Sequence, residues 1–269
     1  MNMWKWETNV EPKGIVVIVH DMMEYHGNYA YTIMELRKRG FHIFMGDLPG
    51  HGETSRANKG HIEHFEQYNE KLFEWLLIAS RYEVPCFIIG QGLGGLIVLN
   101  ALEKTEMKVE GIMLINPLLE FNHELSSQKK LLSTSLGSLS KEGRFDLGIN
   151  SDMLTSDKTM QQSLNSNKEM YREVTYHWYR EVHDTMRETI DKLEQIQDLP
   201  VAVYYSKHNQ VINSKEVSVL KSGLNSTFLN YIGYEKKAHH LLIDEYKDYV
   251  IQDIDYFMHR VLNEIGFNY

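Results

Sequence analysis

The stretch that decides the fold reads Gly90-Gln91-Gly92-Leu93-Gly94-Gly95. An apolar run, 84–89, leads into it and an apolar helical pattern, 93–102, leads out. This is the strand, tight turn and helix that a Gly-x-Ser-x-Gly nucleophile elbow requires. Glycine stands at position 92, where that motif carries the attacking serine, and glycine has no group that would form a covalent acyl intermediate. The sequence therefore predicts the strand-turn-helix structure of the elbow but not the covalent catalysis that a serine at position 92 would perform.

The charge and cysteine content restrict the class of protein. The net charge is −9, from 28 basic and 37 acidic side chains, which disfavours nucleic acid as a partner. The single cysteine, Cys86, excludes an intrachain disulfide and lies in an apolar run typical of a buried strand. The N-terminus lacks the apolar segment of a signal peptide, and no run is long enough for a transmembrane helix. We expect a cytoplasmic protein. Nothing in the sequence specifies its oligomeric state.

Short apolar runs alternate with helical patterns along most of the chain, which predicts an α/β fold with a mostly parallel sheet. The predicted strands are 14–19, 42–45, 84–89, 111–115, 201–205 and 227–231, and the predicted helices are 29–39, 65–81, 93–104, 214–222 and 245–265. The alternation breaks between 118 and 195, where a polar stretch precedes a long helical pattern over 174–196. We therefore predict a core of 1–117 and 196–269 with a helical lid inserted at 118–195.

Several sequence blocks together resemble the α/β-hydrolase superfamily, and within it the monoacylglycerol lipase, lysophospholipase and serine aminopeptidase-like group. The segment 20–29 resembles the family's oxyanion loop, and 46–55 resembles its Asp-x-x-Gly-His-Gly-x-Ser turn. The elbow matches Gly-His-Ser-Met-Gly-Gly, and 239–244 resembles the segment that bears the catalytic histidine. The resemblance covers nearly the whole chain and implies hydrolysis of carboxylic esters of lipid-like substrates.

Three departures from this family fall on functional positions. Gly92 replaces the nucleophilic serine, Asn209 replaces the acid of the triad, and Asp21 replaces the glycine of His-Gly in the oxyanion loop. Only His239 remains of the implied triad. In a serine protease the change of Asp to Asn costs about 10⁴ in kcat, and removing the nucleophile costs about 10⁶. Gly92 is either an emptied elbow with room for water or a ligand group, or drift after activity was lost; an engineered change would not explain Asn209 or Asp21.

The remaining polar groups leave alternatives open. His239 would activate water directly, or it is a leftover histidine that is hydrogen-bonded in a pocket. Asp21 would repel a developing oxyanion, form a dyad with His239, or face solvent. Glu120, after the strand 111–115, is the nearest candidate for a relocated acid, although a surface carboxylate is the simpler interpretation.

The resemblance also implies a binding site. It places the oxyanion hole at the backbone amides of Met22 and Leu93, and it places the aromatic pair Trp178 and Tyr179 in the lid. These aromatic side chains would line a pocket for a lipid-like or ester ligand, or pack a helix onto its neighbour.

We expect neither a metal nor a cofactor. Although the chain has 13 histidines, it contains no His-x-x-x-His pair with a helical glutamate. The six residues from Gly90 also satisfy Gly-x-Gly-x-x-Gly, but they do not follow the first strand, and the next strand ends in Asn116 rather than an acid. Three functional hypotheses follow: a catalytically impaired relative that keeps a lidded apolar pocket, a working ester hydrolase that uses water activated by His239, and a partner-binding protein with a vestigial pocket.

Overall fold

The computed structural model describes residues 3–53, 58–122 and 143–267. Thr54 and Ser55 of the predicted turn, and 123–142 of the predicted insertion, lie outside these residues. The described strands are β1 Met3–Trp6, β2 Gly14–Val19, β3 Phe41–Gly46, β4 Cys86–Gln91, β5 Gly111–Ile115, β6 Arg144–Asp146, β7 Glu173–Thr175, β8 Val201–Ser206 and β9 Leu229–Tyr234. The described α-helices are α1 Ala30–Lys38, α2 Glu66–Ala79, α3 Leu93–Lys104, α4 Ser151–Leu154, α5 Lys158–Ser166, α6 Tyr176–Asp191, α7 Val219–Gly223 and α8 Lys247–Glu264.

Seven of these strands form one sheet in the order β1-β3-β2-β4-β5-β8-β9. All neighbours pair in parallel except β1, which is antiparallel to β3. The predicted mostly parallel α/β fold is therefore confirmed. The strand β1 was not predicted, because its four residues include a lysine and it is only partly buried at the edge of the sheet.

The sheet is covered on both faces, which explains why its central strands read as continuous apolar runs. In β2, Ile15, Val17 and Val19 belong to one hydrophobic cluster, while Val16 and Ile18 belong to the other. The first cluster includes residues of α2, α3 and α6, and the second includes residues of α1 and α8. Because successive side chains of a strand point to opposite faces, β2 serves both cores.

Between β5 and β8 the described residues form β6, α4, α5, β7 and α6, with β6 and β7 paired as a separate antiparallel ribbon. The predicted helix over 174–196 is wrong at both ends. Val174 and Thr175 are in β7, and the Thr175 side chain accepts a hydrogen bond from the Trp178 backbone N–H as the N-cap of α6. At the other end α6 stops at Asp191 and a 3₁₀ turn, Leu193–Gln195, follows.

The predicted helix over 214–222 also begins later than expected, with a 3₁₀ turn, Glu216–Ser218, before the short α7. Within the described ranges, no helix combines the length and the apolar character needed to cross a membrane.

Candidate functional site

The elbow forms as predicted between β4 and α3. Gly92 has φ +51° and ψ −114°, a left-handed conformation that costs other residues strain and that glycine adopts freely. Its N–H donates to the Ile115 carbonyl and its own carbonyl accepts from the Leu118 N–H, at 2.9 Å in each case. Gly94 packs the new helix against β2, since a Cβ at 94 would lie 2.1 Å from the Val19 carbonyl oxygen. The turn is therefore held from both sides.

The space that a side chain at position 92 would need is filled by Asp21. A Cβ built on Gly92 would lie 2.0 Å from Asp21 Oδ1 and 2.1 Å from Asp21 Cγ. Non-bonded atoms do not approach this closely, so a residue with a Cβ at 92 would require the Asp21 side chain to leave its observed position. The two departures from the family motif are thus physically linked.

The Asp21 carboxylate makes three short hydrogen bonds. Its Oδ1 accepts from the backbone N–H groups of Met22 and Leu93, both at 2.7 Å, and its Oδ2 lies 2.7 Å from His239 Nε2. These two amides are the predicted oxyanion hole. Asp21 is only 1% exposed, which excludes the solvent-facing alternative. The contact with His239 has the geometry of the predicted dyad, and the same carboxylate accepts from the two amides that the resemblance assigns to an oxyanion hole.

Asn209 fixes the protonation state of His239. Asn209 Oδ1 accepts from the backbone N–H groups of Val211 and Ile212, at 2.9 and 3.1 Å, so its Nδ2 must be the group that faces His239 Nδ1, at 3.1 Å. Because Nδ2 is only a donor, Nδ1 must accept and carries no proton. The imidazole is then neutral, with its proton on Nε2 and donated to Asp21. In a working Ser–His–Asp triad the tautomer is the reverse.

Three groups that the sequence did not reveal hold the histidine loop. The His239 carbonyl accepts from Gln91 Nε2 at 3.0 Å and from Asn116 Nδ2 at 2.7 Å. The His239 N–H donates to the carbonyl of Met153, in α4. Asn116 has φ +42°, which asparagine tolerates better than most residues. Gln91 lies inside the elbow motif and Asn116 directly follows β5, so the sequence located both residues. It did not show that both donate to the His239 carbonyl.

A second carboxylate–histidine pair lies beside the first. His240 Nε2 is 3.0 Å from Glu24 Oε1, within ion-pair distance although not aligned as a hydrogen bond. Glu24 Oε2 accepts from the Tyr29 hydroxyl at 2.7 Å and from the Asp21 N–H at 3.3 Å. Burial, followed by the Glu24 charge, raises the pKa of Tyr29 well above its usual range. Glu24 therefore anchors the loop that carries Asp21.

Two buried histidines, with ring centroids 5.1 Å apart, lie next to each other near this loop. His20 Nδ1 is 2.7 Å from the Asp21 carbonyl, and His20 Nε2 accepts from the Leu48 N–H. His51 contacts the Tyr171 hydroxyl at 2.7 Å, which ties the segment before β7 to the core. Burial is the main cause that lowers the pKa of His20, and it lowers the pKa of His51 to about 3. Because His20 Nε2 accepts a hydrogen bond, it carries no proton, and His20 serves as a neutral hydrogen-bonding group.

Two of the cavities are small and are lined mainly by described residues of the insertion. One of about 140 Å³ is lined by Leu119, Glu120, Phe121, Tyr179, His183, Met186, Arg187, Ile190 and Glu216. One of about 50 Å³ is lined by Met23, Ile149, Ser151, Leu154, Leu164, Asn165, Asn167, Met170, Tyr171 and Arg172. Tyr179 therefore faces a cavity, and its ring stacks on Phe121.

Trp178 does not line either of these cavities. It is fully buried, and its indole N–H donates to the Tyr68 hydroxyl at 2.8 Å, which fits the alternative that it packs α6 onto α2. Glu120 is exposed and its carboxylate accepts from Asn213 Nδ2. Because Asn209 and Asp21 occupy both ring nitrogens of His239, Glu120 is not its partner, and the idea of a relocated acid at Glu120 is wrong.

The mostly parallel sheet, the elbow after β4 and the histidine loop after β9 define an α/β-hydrolase fold. A family model described as serine aminopeptidase, S33 (Hydrolase_4) matches residues 10–246, and the chain belongs to this family. It is 28% identical over 240 residues to phospholipase YtpA of Bacillus subtilis (strain 168), covering 89% of this chain and 92% of that one. It is 28% identical over 133 residues to the monoglyceride lipase of Rattus norvegicus, covering 49% and 44% of the two chains.

Solved structures agree on the fold. A soluble variant of monoglyceride lipase from Saccharomyces cerevisiae, in complex with a substrate analog, superposes with a TM-score of 0.87 at 17% identity, over 96% of this chain and 91% of that one. Monoacylglycerol lipase from Paleococcus ferrophilus superposes with a TM-score of 0.84 at 20% identity, over 96% and 98%. The predicted monoacylglycerol lipase and lysophospholipase-like group of α/β-hydrolases is confirmed.

Proposed function

We propose that this chain is a catalytically impaired member of its family that keeps a lidded, largely apolar pocket for a lipid-like or ester ligand. The single observation that carries the proposal is the position of Asp21. Its carboxylate binds the two amides that would stabilise an oxyanion, fills the space of the missing side chain at position 92, and takes the Nε2 proton of His239.

Each of these contacts opposes acyl transfer. A substrate carbonyl cannot enter a hole in which both N–H groups already bind an anion, and removing a single oxyanion donor alone costs about 10² to 10³ in kcat. The loss of the nucleophile is the larger effect, at about 10⁶. Asn209 adds a third lesion, because its amide supplies no negative charge to stabilise an imidazolium.

The alternative of water activated by His239 finds less support. A general base needs a free lone pair within reach of the water, and Nε2 instead donates to Asp21 while Nδ1 accepts from Asn209. His239 is also fully buried. The third hypothesis, a partner-binding protein with a vestigial pocket, makes no use of these cavities.

The pocket of the proposal is the 140 Å³ cavity, whose walls are described residues of the predicted lid, 119–121 and α6, together with Glu216 of the core. Five of its nine lining residues are apolar or aromatic, and the other four are polar or charged: Glu120, His183, Arg187 and Glu216. The names of the relatives, a phospholipase and monoglyceride lipases, support a lipid-like ligand. A cytoplasmic location stays a prediction.

The test is restoration of the missing parts in matched combinations. We expect no hydrolysis of a p-nitrophenyl ester and no fluorophosphonate labelling by the natural chain. The double variant Gly92→Ser with Asn209→Asp is expected to stay silent, since the serine Cβ and the Asp21 carboxylate compete for the same space beside the two amides. Adding Asp21→Gly to it is expected to give both labelling and turnover. The control is Asp21→Gly with Asn209→Asp, which opens the hole without a nucleophile. Ester turnover by the natural chain that disappears with His239→Ala would refute the proposal.

A further inference from the structure

We propose that the outer edge of β9 is an interface at which two copies of this chain join their sheets, with the two β9 strands antiparallel about a twofold axis at Tyr231. The residues of β9 line neither of the two small cavities. The interface is therefore separate from the pocket and assigns the chain a partner, a second copy of itself.

β9 is the last strand of the sheet, and its hydrogen bonds to β8 follow a regular alternation. The two strands are parallel. At one end of their ladder the Val201 N–H donates to the Phe228 carbonyl at 2.9 Å. At the other end the Lys207 N–H donates to the Tyr234 carbonyl, also at 2.9 Å. Along a parallel ladder, the residues that bond to a given neighbour recur at every second position, so the even-numbered residues of β9 bond to β8.

The odd-numbered residues of β9 direct their backbone groups away from β8. Throughout the ranges that the structure describes, β8 is the only strand paired with β9. Within the same ranges, no backbone hydrogen bond involves the N–H or C=O groups of Leu229, Tyr231 or Gly233. A row of unpaired backbone groups along a sheet edge is a template for pairing with another strand.

The two edges of the sheet differ in how they are protected. At the opposite edge, β1 has four residues, and the Lys5 side chain between its two tryptophans is exposed. A charged side chain on an edge strand opposes pairing with a further strand. β9 has six residues, Leu-Asn-Tyr-Ile-Gly-Tyr, and carries neither a charge nor a proline. Because an unprotected edge of this length invites aggregation, we expect another strand to cover it.

A second copy of β9 fits this edge in a defined register. Antiparallel strands exchange N–H···O=C bonds between residues whose backbone groups point at each other, so 229, 231 and 233 are the bonding residues on both copies. The register that uses all three places Tyr231 opposite Tyr231 of the second copy, and Leu229 opposite Gly233. This register gives three bonded pairs of residues, each with two hydrogen bonds, and joins the two seven-stranded sheets into one continuous sheet.

The side chains also match in this register. Leu229 and Tyr231 pack on the same hydrophobic cluster, so Leu229 would lie on that face beside Gly233 of the second copy, which has no side chain to compete for the space. The Tyr231 hydroxyl is buried and has no hydrogen-bond partner among the described residues. In the pair, the two Tyr231 side chains are cross-strand neighbours, which brings each hydroxyl within reach of the other as donor or acceptor. This match of the strand with itself favours a second copy over an unrelated chain.

The first test is the mass of the natural chain in solution. A contact between two strands of this length belongs to the small, weak class of interfaces. In sedimentation equilibrium between about 5 and 500 µM, we therefore expect the average mass to rise from 31.5 kDa toward twice that value. A mass that stays at 31.5 kDa over the whole range would overturn the proposal, whether the edge is then open or covered by another part of the chain.

Charge reversal at position 231 tests the register, because the twofold axis places this residue opposite itself. Tyr231→Lys or Tyr231→Glu alone puts like charges on residues whose Cα atoms are about 5.5 Å apart, and we expect either variant to weaken the dimer at least about 10-fold. An equimolar mixture of the two variants pairs opposite charges and should dimerise again. Tyr256→Lys and Tyr256→Glu are matched controls, because Tyr256 is 67% exposed on α8; alone or mixed, they should leave the dimer unchanged.

Hydrogen exchange on the natural chain tests the same register without a variant, and it decides the matter if circular dichroism shows that a variant at 231 is unfolded. The N–H groups of 229, 231 and 233 should exchange more slowly as the protein concentration rises. The N–H groups of 230, 232 and 234, which already bond to β8, should change little.

Four results would overturn the proposed interface even if the chain dimerises: folded variants at 231 that leave the dimer intact, a mixture that does not restore it, an equal effect of the variants at 256, or exchange at 229, 231 and 233 that does not depend on concentration. None of these results affects the proposed function, because β9 contributes no residue to the pocket.

Discussion

The shared volume of Asp21 and position 92 predicts a strong energetic coupling between the two positions. Gly92→Ala adds one methyl group at φ +51°, a conformation that costs a non-glycine residue about 1–3 kcal/mol. In the natural chain the same methyl group would lie 2.0 Å from Asp21 Oδ1, and relieving such overpacking costs about 1–3 kcal/mol more. We therefore expect Gly92→Ala to lower the free energy of unfolding by about 2–6 kcal/mol in the natural chain. In Asp21→Gly the loss should be only about 1–3 kcal/mol, since the steric part disappears there.

The measurement is a double-mutant cycle by urea unfolding: the natural chain, each single variant and the double variant, followed by circular dichroism. The expected coupling energy is about 1–3 kcal/mol, in the range seen for residues in direct contact. Gly148→Ala is a matched control, because Gly148 also has a positive φ (+76°) but a Cβ there would meet no atom within 4 Å. Its cost should be the same with Asp21 or glycine at position 21. Equal losses for Gly92→Ala in both backgrounds would refute the reasoning.

Two further predictions concern stability. Burial lowers the pKa of His51 from 6.5 to about 3, so below pH 6.5 the unfolded chain binds a proton at His51 that the folded chain does not bind. The free energy of unfolding should therefore fall by up to about 1.4 kcal/mol for each unit by which the pH is lowered from 6.5 toward 3. His51→Gln should reduce this slope, measured by urea titrations at several pH values. An unchanged slope would contradict the assignment. Asp244 Oδ1 accepts from the Thr155 hydroxyl and from the Ser156 N–H and hydroxyl. Asp244→Ala should cost about 1–3 kcal/mol and increase limited proteolysis near 151–157, whereas the exposed Asp152→Ala should do neither.

The fold was predictable because its signals are local. The central strands of a doubly covered sheet appear as apolar runs, and the elbow needs glycine at fixed positions, so β4, Gly92 and α3 were located from the sequence. The strand β1 escaped because an edge strand buries little. The start of α6 was misplaced because Val174 and Thr175 fit either a helix or a strand, and only their pairing with Arg144 and Phe145 decides between them.

The site was predictable only in part, because its decisive contact spans 218 positions of the sequence. The resemblance marked Asp21, Gly92, Asn209 and His239 one by one, and the contact of Asp21 with His239 was one of several alternatives for it. The same carboxylate also binds both amides and fills the volume of the missing side chain. Both of these contacts depend on how β2 and β4 lie side by side. A propensity or a motif carries no such information.

The mutual exclusion of Asp21 and a side chain at position 92 also constrains the history of the chain. From a chain with glycine at 21 and serine at 92, an aspartate introduced first at 21 would clash with the serine side chain. If the serine is lost first, there is room for the aspartate. The way back is obstructed in the same manner, because a serine restored on its own would collide with the carboxylate. With aspartate at position 21 and glycine at position 92, a return to serine at 92 requires a change at position 21 as well.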